Sequence, residues 1–240
     1  MFDEPNLVSS AGLVPVLALA ESAGLRRLAD EHLSVPTDKG ANAGLKVSLL
    51  IAGMLAGADS IDDMALLRHG GMGRIFARAY APSTLGSFLR AITFGHVRQL
   101  DAIASRLLTA LAGLTRLLGT PDPLTGGRAA EYALLDVDDT IIEVHGHAKQ
   151  GAGFGYSRVR GLNALLATLA TATTAPVIVA QRLLKGACGS SRGAVRLVGD
   201  AVKQARRLLG HGPKVLVRMD SAFYGRGPSG LPCVAVPTCR

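Results

Sequence analysis

The chain lacks several features that would assign it to a common class of protein. No apolar run reaches the roughly 18 residues of a membrane-spanning helix, although 48% of the 240 residues are hydrophobic. The apolar segment 13–20 is preceded by Asp3 and Glu4 and by no Lys or Arg, which is the wrong charge for a secretory signal. The three cysteines are irregularly spaced and fit neither a disulfide framework nor a zinc pattern. These absences predict a cytoplasmic protein that does not enter the membrane.

Acidic residues become scarce in the second half of the chain. Residues 1–130 contain 12 Lys or Arg and 11 Asp or Glu, whereas residues 131–240 contain 14 and 7. The net charge of +8 therefore divides into +1 and +7. A basic region suggests a polyanionic partner such as nucleic acid. A soluble protein that is merely rich in arginine is the alternative.

The first half has the apolar spacing of helices. The spacing predicts helices over residues 14–33, 45–54, 64–67, 85–92 and 96–118. Ser60 and Asp63 can cap the third of them. Short helices separated by turns are compatible with a helix-turn-helix that brings Ser83, Thr84 and Arg90 near DNA. A packed bundle without DNA contacts is the alternative, because the net charge of this half is close to zero.

The second half changes to an α/β pattern after a linker rich in Pro and Gly, residues 121–130. The pattern predicts strands over residues 131–138, continuing to 145, then 162–169, 175–180 and 214–219, with a helix over 191–209. A helical crossover before the last strand favours its parallel pairing with an earlier strand. If that partner is the first strand, the carboxyl ends of both strands lie together.

Asp138 and Asp220 each follow a hydrophobic strand sequence. If the two strands are parallel neighbours, the two carboxylates converge, and oxygen ligands of this kind suit Mg²⁺. Alternation along the first strand puts Asp136 and Asp138 on one face and Asp139 on the other. We therefore expect Asp138 and Asp220 to bind the metal, with Asp139 a weaker candidate and Asp136 structural. Simple capping of turns at strand ends is the alternative role.

The order of elements and the motifs resemble the DDE transposases of bacterial insertion sequences, which have an RNase H-like catalytic core. The motifs are DDT at residues 138–140 and DSAFY at residues 220–224. The helical segment STLGSFLR at residues 83–90 is also similar to the associated domain of this family. The resemblance covers roughly residues 10–226.

The resemblance implies a fold, a chemistry and a partner. It implies an all-helical domain over residues 1–120, an RNase H-like mixed-sheet α/β domain over 131–226, and a tail over 227–240. The implied activity is metal-dependent cleavage of phosphodiesters at element ends, followed by strand transfer. Asp138 would bridge two Mg²⁺ or Mn²⁺ ions and Asp220 would bind one. The implied partner is double-stranded DNA with terminal inverted repeats, and a homodimer is compatible with this role.

The chain departs from the family after the second motif. A complete enzyme of this type has a third carboxylate, normally Glu, well beyond the second Asp. Here no Glu follows Glu143 and no acidic residue follows Asp220. We therefore expect an incomplete, C-terminally truncated catalytic domain whose strand transfer is absent or badly impaired. A catalytically dead fragment that binds DNA or an intact copy is the open alternative.

Basic side chains of the second half are candidates for phosphate contacts. They are Arg158 and Arg160 between strands, and Arg192, Arg196, Lys203, Arg206 and Arg207 on one side of the predicted helix. His145 and His147 follow the first strand closely enough to approach a metal, although a turn with solvated imidazoles is the more frequent arrangement.

A phosphatase of the haloacid-dehalogenase type is a second interpretation of residues 136–140, in which Asp136 would attack phosphorus. That fold requires a loop and a helix soon after the motif. Here the β pattern continues instead. It also requires a downstream acidic pair, and Gly199-Asp200 is followed by Ala201 and Val202.

Overall fold

The computed structural model describes residues 4–36, 38–119, 132–146, 149–189, 191–210 and 212–223. The chain divides into two compact units, with the boundary between Leu114 and Thr115. The predicted linker and the predicted tail lie outside the described residues. Within the described ranges, no helix combines the length and the hydropathy that crossing a membrane requires.

The first unit is helical, as its apolar spacing predicts. Its helices are α1 (Leu13–Ser22), α2 (Leu25–His32), α3 (Ala43–Leu55), α4 (Pro82–Arg90) and α5 (Phe94–Leu114). The single helix predicted over residues 14–33 is wrong, because Gly24 adopts a φ of 82° and separates α1 from α2. The expected third helix is a 3-10 helix (Asp62–Arg68), although Ser60 and Asp63 do form the predicted cap.

Large apolar side chains form the core of this unit. Leu49, Leu67, Met72, Leu85 and Phe88 are almost completely buried. α4 begins at Pro82, where the missing N–H of proline costs no hydrogen bond. The unit is therefore a packed helical bundle, and a helix-turn-helix made by α4 and α5 stays a prediction.

The second unit is a five-stranded mixed sheet with one described helix. Its elements are β1 (Tyr132–Glu143), β2 (Gly153–Phe154), β3 (Arg160–Thr171), β4 (Val177–Lys185), α6 (Ala194–Leu209) and β5 (Lys214–Met219). The strand β5 has the bounds that the sequence predicts. β1, β3 and β4 pair antiparallel, and β5 pairs with β1 in the parallel sense. The predicted parallel pairing of the last strand with the first is therefore confirmed, as is the mixed α/β class of the chain.

α6 packs on one face of this sheet through the odd-numbered residues of β1 and β3. Leu135, Val137, Leu165 and Leu169 are buried on this face. The amphipathic helix meets them with its own buried stripe, which consists of Ala194, Leu197, Val198, Ala201, Gln204 and Ala205. Even-numbered β1 residues alternate to the opposite face and are less buried.

An ion pair ties α6 to β4. Arg182 Nη2 donates to Asp200 Oδ2 at 2.5 Å, and the Arg182 side chain is only 12% exposed. Gly193 begins the helix with a φ of 83° and lies against the side chains of Leu165 and Arg182. The ion pair and this close approach together fix the position of the helix on the sheet.

Candidate metal and nucleic-acid site

The strand register places Asp138 and Asp220 next to each other. The last registered pair of β1 and β5 is Val137 with Met219, and Asp138 and Asp220 are the next residues along each strand direction. Neighbouring strands are about 4.8 Å apart, so the two backbones are separated by roughly one strand spacing. Both side chains are exposed. The fold therefore places the two residues at adjacent strand positions, and the convergence of their carboxylates on a metal stays a prediction.

Asp138 lies within β1 rather than at its end, as the continuation of the β pattern to residue 145 predicts. β1 continues through Glu143 because residues 139–143 remain paired with β3. β5 ends at Met219, which is paired with Val137. Asp138 therefore lies beside the end of β5, although its own strand continues. This leaves the β5 side of Asp138 open to Asp220.

Backbone N–H groups orient both carboxylates. Asp138 Oδ1 accepts a hydrogen bond of 2.8 Å from the N–H of Asp139. Asp220 Oδ1 accepts one of 2.8 Å from the N–H of Ala222, within a short 3-10 turn (Ser221–Phe223). Local bonds of this kind between an aspartate side chain and the backbone are frequent in turns and at strand ends. Each side chain therefore uses one oxygen for orientation.

Asp136 lies on the same face as Asp138 but is paired with Arg218. Arg218 Nε donates to Asp136 Oδ1 at 2.6 Å, and Arg218 Nη2 donates to Asp136 Oδ2 at 2.9 Å. These hydrogen bonds raise the pKa of Arg218 above its ordinary value. Both carboxylate oxygens of Asp136 are occupied, which agrees with the structural role predicted for it.

Asp139 points to the α6 side of the sheet, away from Asp138 and Asp136. Its Oδ2 accepts a hydrogen bond of 2.8 Å from Asn163 Nδ2, which also donates to the carbonyl of Cys188 at 3.2 Å. Asn163 is only 3% exposed, so its amide depends on these partners. Asp139, the weaker metal candidate, therefore forms a polar contact between β1 and β3.

Replacement of Asp139 by Ala is expected to lower stability rather than metal affinity. The change removes a partner of the buried Asn163 amide, and such a loss costs about 1–3 kcal/mol. Urea denaturation followed by circular dichroism would measure the change in the free energy of unfolding. An unchanged stability combined with lost Mn²⁺ binding would instead place Asp139 in the metal site.

The donor set at Asp138 and Asp220 fits a hard divalent cation. Mg²⁺ commonly takes one or two carboxylates and completes its shell with water and substrate phosphate oxygens. Among the residues that the structure describes, no group of three or more His, Cys, Asp or Glu side chains is clustered for metal binding. His145 is exposed, with Nδ1 3.9 Å from Glu143 Oε1, and His147 lies outside the described residues.

The basic candidates of α6 form one exposed stripe. Arg192, just before the helix, and Arg196, Lys203, Arg206 and Arg207 within it are all exposed. The spacing of the four residues within α6 places them on the helix side that faces away from the sheet, whereas Arg192 lies before the helix and is not positioned by this periodicity. The four helical residues therefore share one side of α6, as predicted, and contact of all five with phosphates stays a prediction.

The remaining basic candidates differ from one another in their surroundings. Arg158 is exposed in a tight turn, whereas Arg160 Nη1 donates to the carbonyls of Val144 and Gly146 at 3.1 and 2.8 Å. Arg160 is thus engaged with the backbone of its own unit. Arg90 is exposed at the end of α4, where Nη2 donates to Ser87 Oγ at 3.3 Å.

Three residues that matter at this site are missing from the sequence prediction. Arg218 and Asn163 determine how the aspartates of β1 are used, and Arg182 positions α6. The pairing of Arg218 with Asp136 could have been predicted from the sequence. Arg218 directly precedes Met219 and Asp136 directly precedes Val137, so the two residues occupy equivalent positions on the parallel strands. The roles of Asn163 and Arg182 depend on long-range packing that no local pattern encodes.

Comparison with known proteins identified no relative of this chain. The chain matches no family model, and neither a search of curated proteins nor a search of solved structures gave a match.

Proposed function

We propose that this chain is a DDE-type transposase that acts on DNA phosphodiesters, with Asp138 and Asp220 as the residues that bind its metal. The observation that carries the proposal is the parallel pairing of β5 with β1, which brings these two exposed residues to adjacent strand positions. A bound Mg²⁺ or Mn²⁺ would supply charge stabilisation and activation of the attacking hydroxyl. The partner would be double-stranded DNA bearing the terminal inverted repeats.

The topology of the second unit supports an RNase H-like identity for its fold. β4, β3 and β1 pair antiparallel in that spatial order, and α6 then leads to β5 on the far side of β1. This is the arrangement that the resemblance to DDE transposases implies. A helix crossover followed by a parallel strand also places Asp138 beside the carboxyl end of β5, and ligands bind near the carboxyl ends of strands in open α/β sheets.

The surroundings of the two carboxylates support separate roles for the neighbouring aspartates. Asp136 is neutralised by Arg218, and Asp139 is hydrogen-bonded to Asn163 on the other face. Asp138 and Asp220 are left as the adjacent, exposed pair. A phosphatase that uses Asp136 as nucleophile fits less well, because both oxygens of Asp136 are engaged and β1 continues as a strand through Glu143.

The number of carboxylates limits the expected chemistry. Within the described residues no third His, Cys, Asp or Glu side chain is clustered with Asp138 and Asp220, and two carboxylates hold a catalytic metal less firmly than three. We expect nicking that is slow and favoured by Mn²⁺, and strand transfer that is absent or badly impaired. The second candidate function, DNA binding without cleavage, is favoured by the lack of a third clustered ligand within the described ranges.

The basic stripe of α6 is expected to contact the phosphates of bound DNA. A triple variant with Arg196→Gln, Lys203→Gln and Arg206→Gln keeps good helix formers but removes three cations. If all three contact phosphates, the slope of log K against log salt becomes shallower by about 2.7, because each contact contributes roughly 0.9. Fluorescence anisotropy of a labelled duplex across a salt series would measure this slope.

A variant of equal charge change provides the control for the stripe. Arg27→Gln, Arg74→Gln and Arg78→Gln remove three exposed cations from the first unit. If this control alters the salt slope as much as the α6 variant does, then net charge rather than the stripe determines DNA affinity.

A further inference from the structure

The connection from β2 to β3 presents aromatic side chains to solvent. Tyr156 is completely exposed and Phe154 is 66% exposed, with Val159 also exposed beside them. We call residues 154–159 the hairpin tip. Aromatic rings of this size usually contribute buried area to a core or an interface. Their clustering on one tip therefore indicates a surface that binds a partner.

The hairpin tip is held in one conformation by its backbone. Arg158 adopts a φ of 58° and its N–H donates to the carbonyl of Gly155 at 3.1 Å. A side chain at Gly155 would clash, because its Cβ would lie 2.5 Å from the carbonyl oxygen of Gly186. Arg160 closes the base of the tip through its bonds to the carbonyls of Val144 and Gly146. A preorganised aromatic tip loses little conformational entropy on binding.

Phe154, where the tip begins, lies on the same side of the sheet as Asp138. Phe154 is registered with Arg160 of β3, and Asp138 is registered with Leu166 of β3. Arg160 and Leu166 are an even number of residues apart, so all these side chains belong to the face opposite α6. Gly161, next to the tip, pairs with Glu143, which is five residues beyond Asp138. This separation is about 17 Å along the strand.

The charge around the tip identifies the class of partner. Arg158 lies within the tip, and Arg160 and the exposed Lys185 lie near Phe154 on the face opposite α6. These three cations favour a polyanionic partner. Nucleobases supply flat faces on which aromatic rings stack irrespective of sequence, but in an intact duplex those faces are covered by neighbouring bases.

We propose that Tyr156 stacks on an unpaired nucleobase of DNA whose phosphodiester lies at Asp138 and Asp220, with Phe154 supporting the same base or its neighbour. The proposal rests on the DNA-directed function proposed above and adds a binding subsite to it. The tip begins beyond the Gly161–Glu143 pair, so it lies at least about 17 Å from Asp138, which corresponds to roughly five base pairs at 3.4 Å each. The unpaired base is thus several nucleotides away from the phosphodiester, where the duplex is opened or already single-stranded.

The test uses the full chain and two DNA probes. One is a fully paired duplex, and the other is the same duplex with a single-stranded extension that carries 2-aminopurine. We expect the unmodified chain to bind the extended probe more tightly and to quench 2-aminopurine by stacking. Tyr156→Ala should remove the quenching and weaken binding of the extended probe by roughly 5- to 150-fold, the range for loss of one base–aromatic stack. Tyr156→Phe should retain both properties.

The controls separate this inference from the function on which it rests. Phe94→Ala removes an aromatic ring that is 80% exposed in the first unit, and should leave quenching unchanged. Binding of both probes with equal affinity and without quenching would overturn the stacking subsite while leaving DNA binding intact. Failure to bind either probe would overturn the proposed function as well. Loss of self-association in Tyr156→Ala, with unchanged DNA binding, would show instead that the tip contacts a second copy of the chain.

Discussion

Asp138→Asn and Asp220→Asn are each expected to lower Mn²⁺-dependent nicking of a supercoiled plasmid by at least about 100-fold. The reason is that a metal at a phosphodiester contributes several kcal/mol of transition-state stabilisation, and Asp138 and Asp220 are the residues that we propose to hold it at the end of β5. The amide has the shape of the carboxylate without its charge, so the fold should be unaffected. Conversion of supercoiled to open-circular plasmid over time measures the rate.

Asp136→Asn is the matched control for these two variants. It makes the same chemical change two residues away on the same face of β1, but at a carboxylate that is already paired with Arg218. Its nicking rate should stay within a few-fold of the unmodified chain. If Asp136→Asn loses nicking and Asp138→Asn keeps it, the assignment of the site is wrong. If the unmodified chain binds DNA but never nicks it, the second candidate function applies.

Asp200→Ala is expected to destabilise the second unit by about 2–3 kcal/mol. Removing one partner of a buried ion pair costs about 3–5 kcal/mol, because the remaining charge is left without compensation. The expected cost lies at or below the bottom of this range because Asp200 is 43% exposed and solvent screens its charge, whereas Arg182 is 12% exposed. Urea denaturation monitored by circular dichroism would record the shift in the transition.

A double variant distinguishes the ion pair from the loss of packing. Arg182→Leu combined with Asp200→Leu replaces the pair by apolar side chains, a change that is often neutral or stabilising. Its stability should recover most of the loss seen in Asp200→Ala. An Asp200→Ala variant as stable as the unmodified chain would mean that Arg182 finds other partners and that α6 does not depend on this pair.

The features that the sequence predicts well are those with a local cause. β5 and α6 follow from short apolar runs with clear stop signals, such as Gly210 after the helix. The parallel pairing of β5 with β1 follows from the helical crossover between β4 and β5. The same pairing places the end of β5 beside Asp138, so the adjacent positions of Asp138 and Asp220 also follow from the sequence pattern.

The features that the sequence does not predict have non-local causes. The β pattern of residues 139–143 is predicted, but their partner is not, and in the structure they pair with β3. The two-residue strand β2 is stabilised by β3 and leaves no periodic pattern of its own. The partners of Asp136 and Asp139 come from β5 and β3, 82 and 24 residues away in sequence. Only the register of the sheet brings these residues together.

Direct measurement of Mn²⁺ binding by electron paramagnetic resonance tests the metal site without requiring activity. The full chain would be titrated with Mn²⁺ in the presence of duplex DNA, alongside Asp138→Asn, Asp220→Asn and Asp136→Asn. We predict saturable binding that is lost in the first two variants and retained in the third. Binding of equal strength in all four proteins, or no binding by the unmodified chain, would contradict a metal site at Asp138 and Asp220.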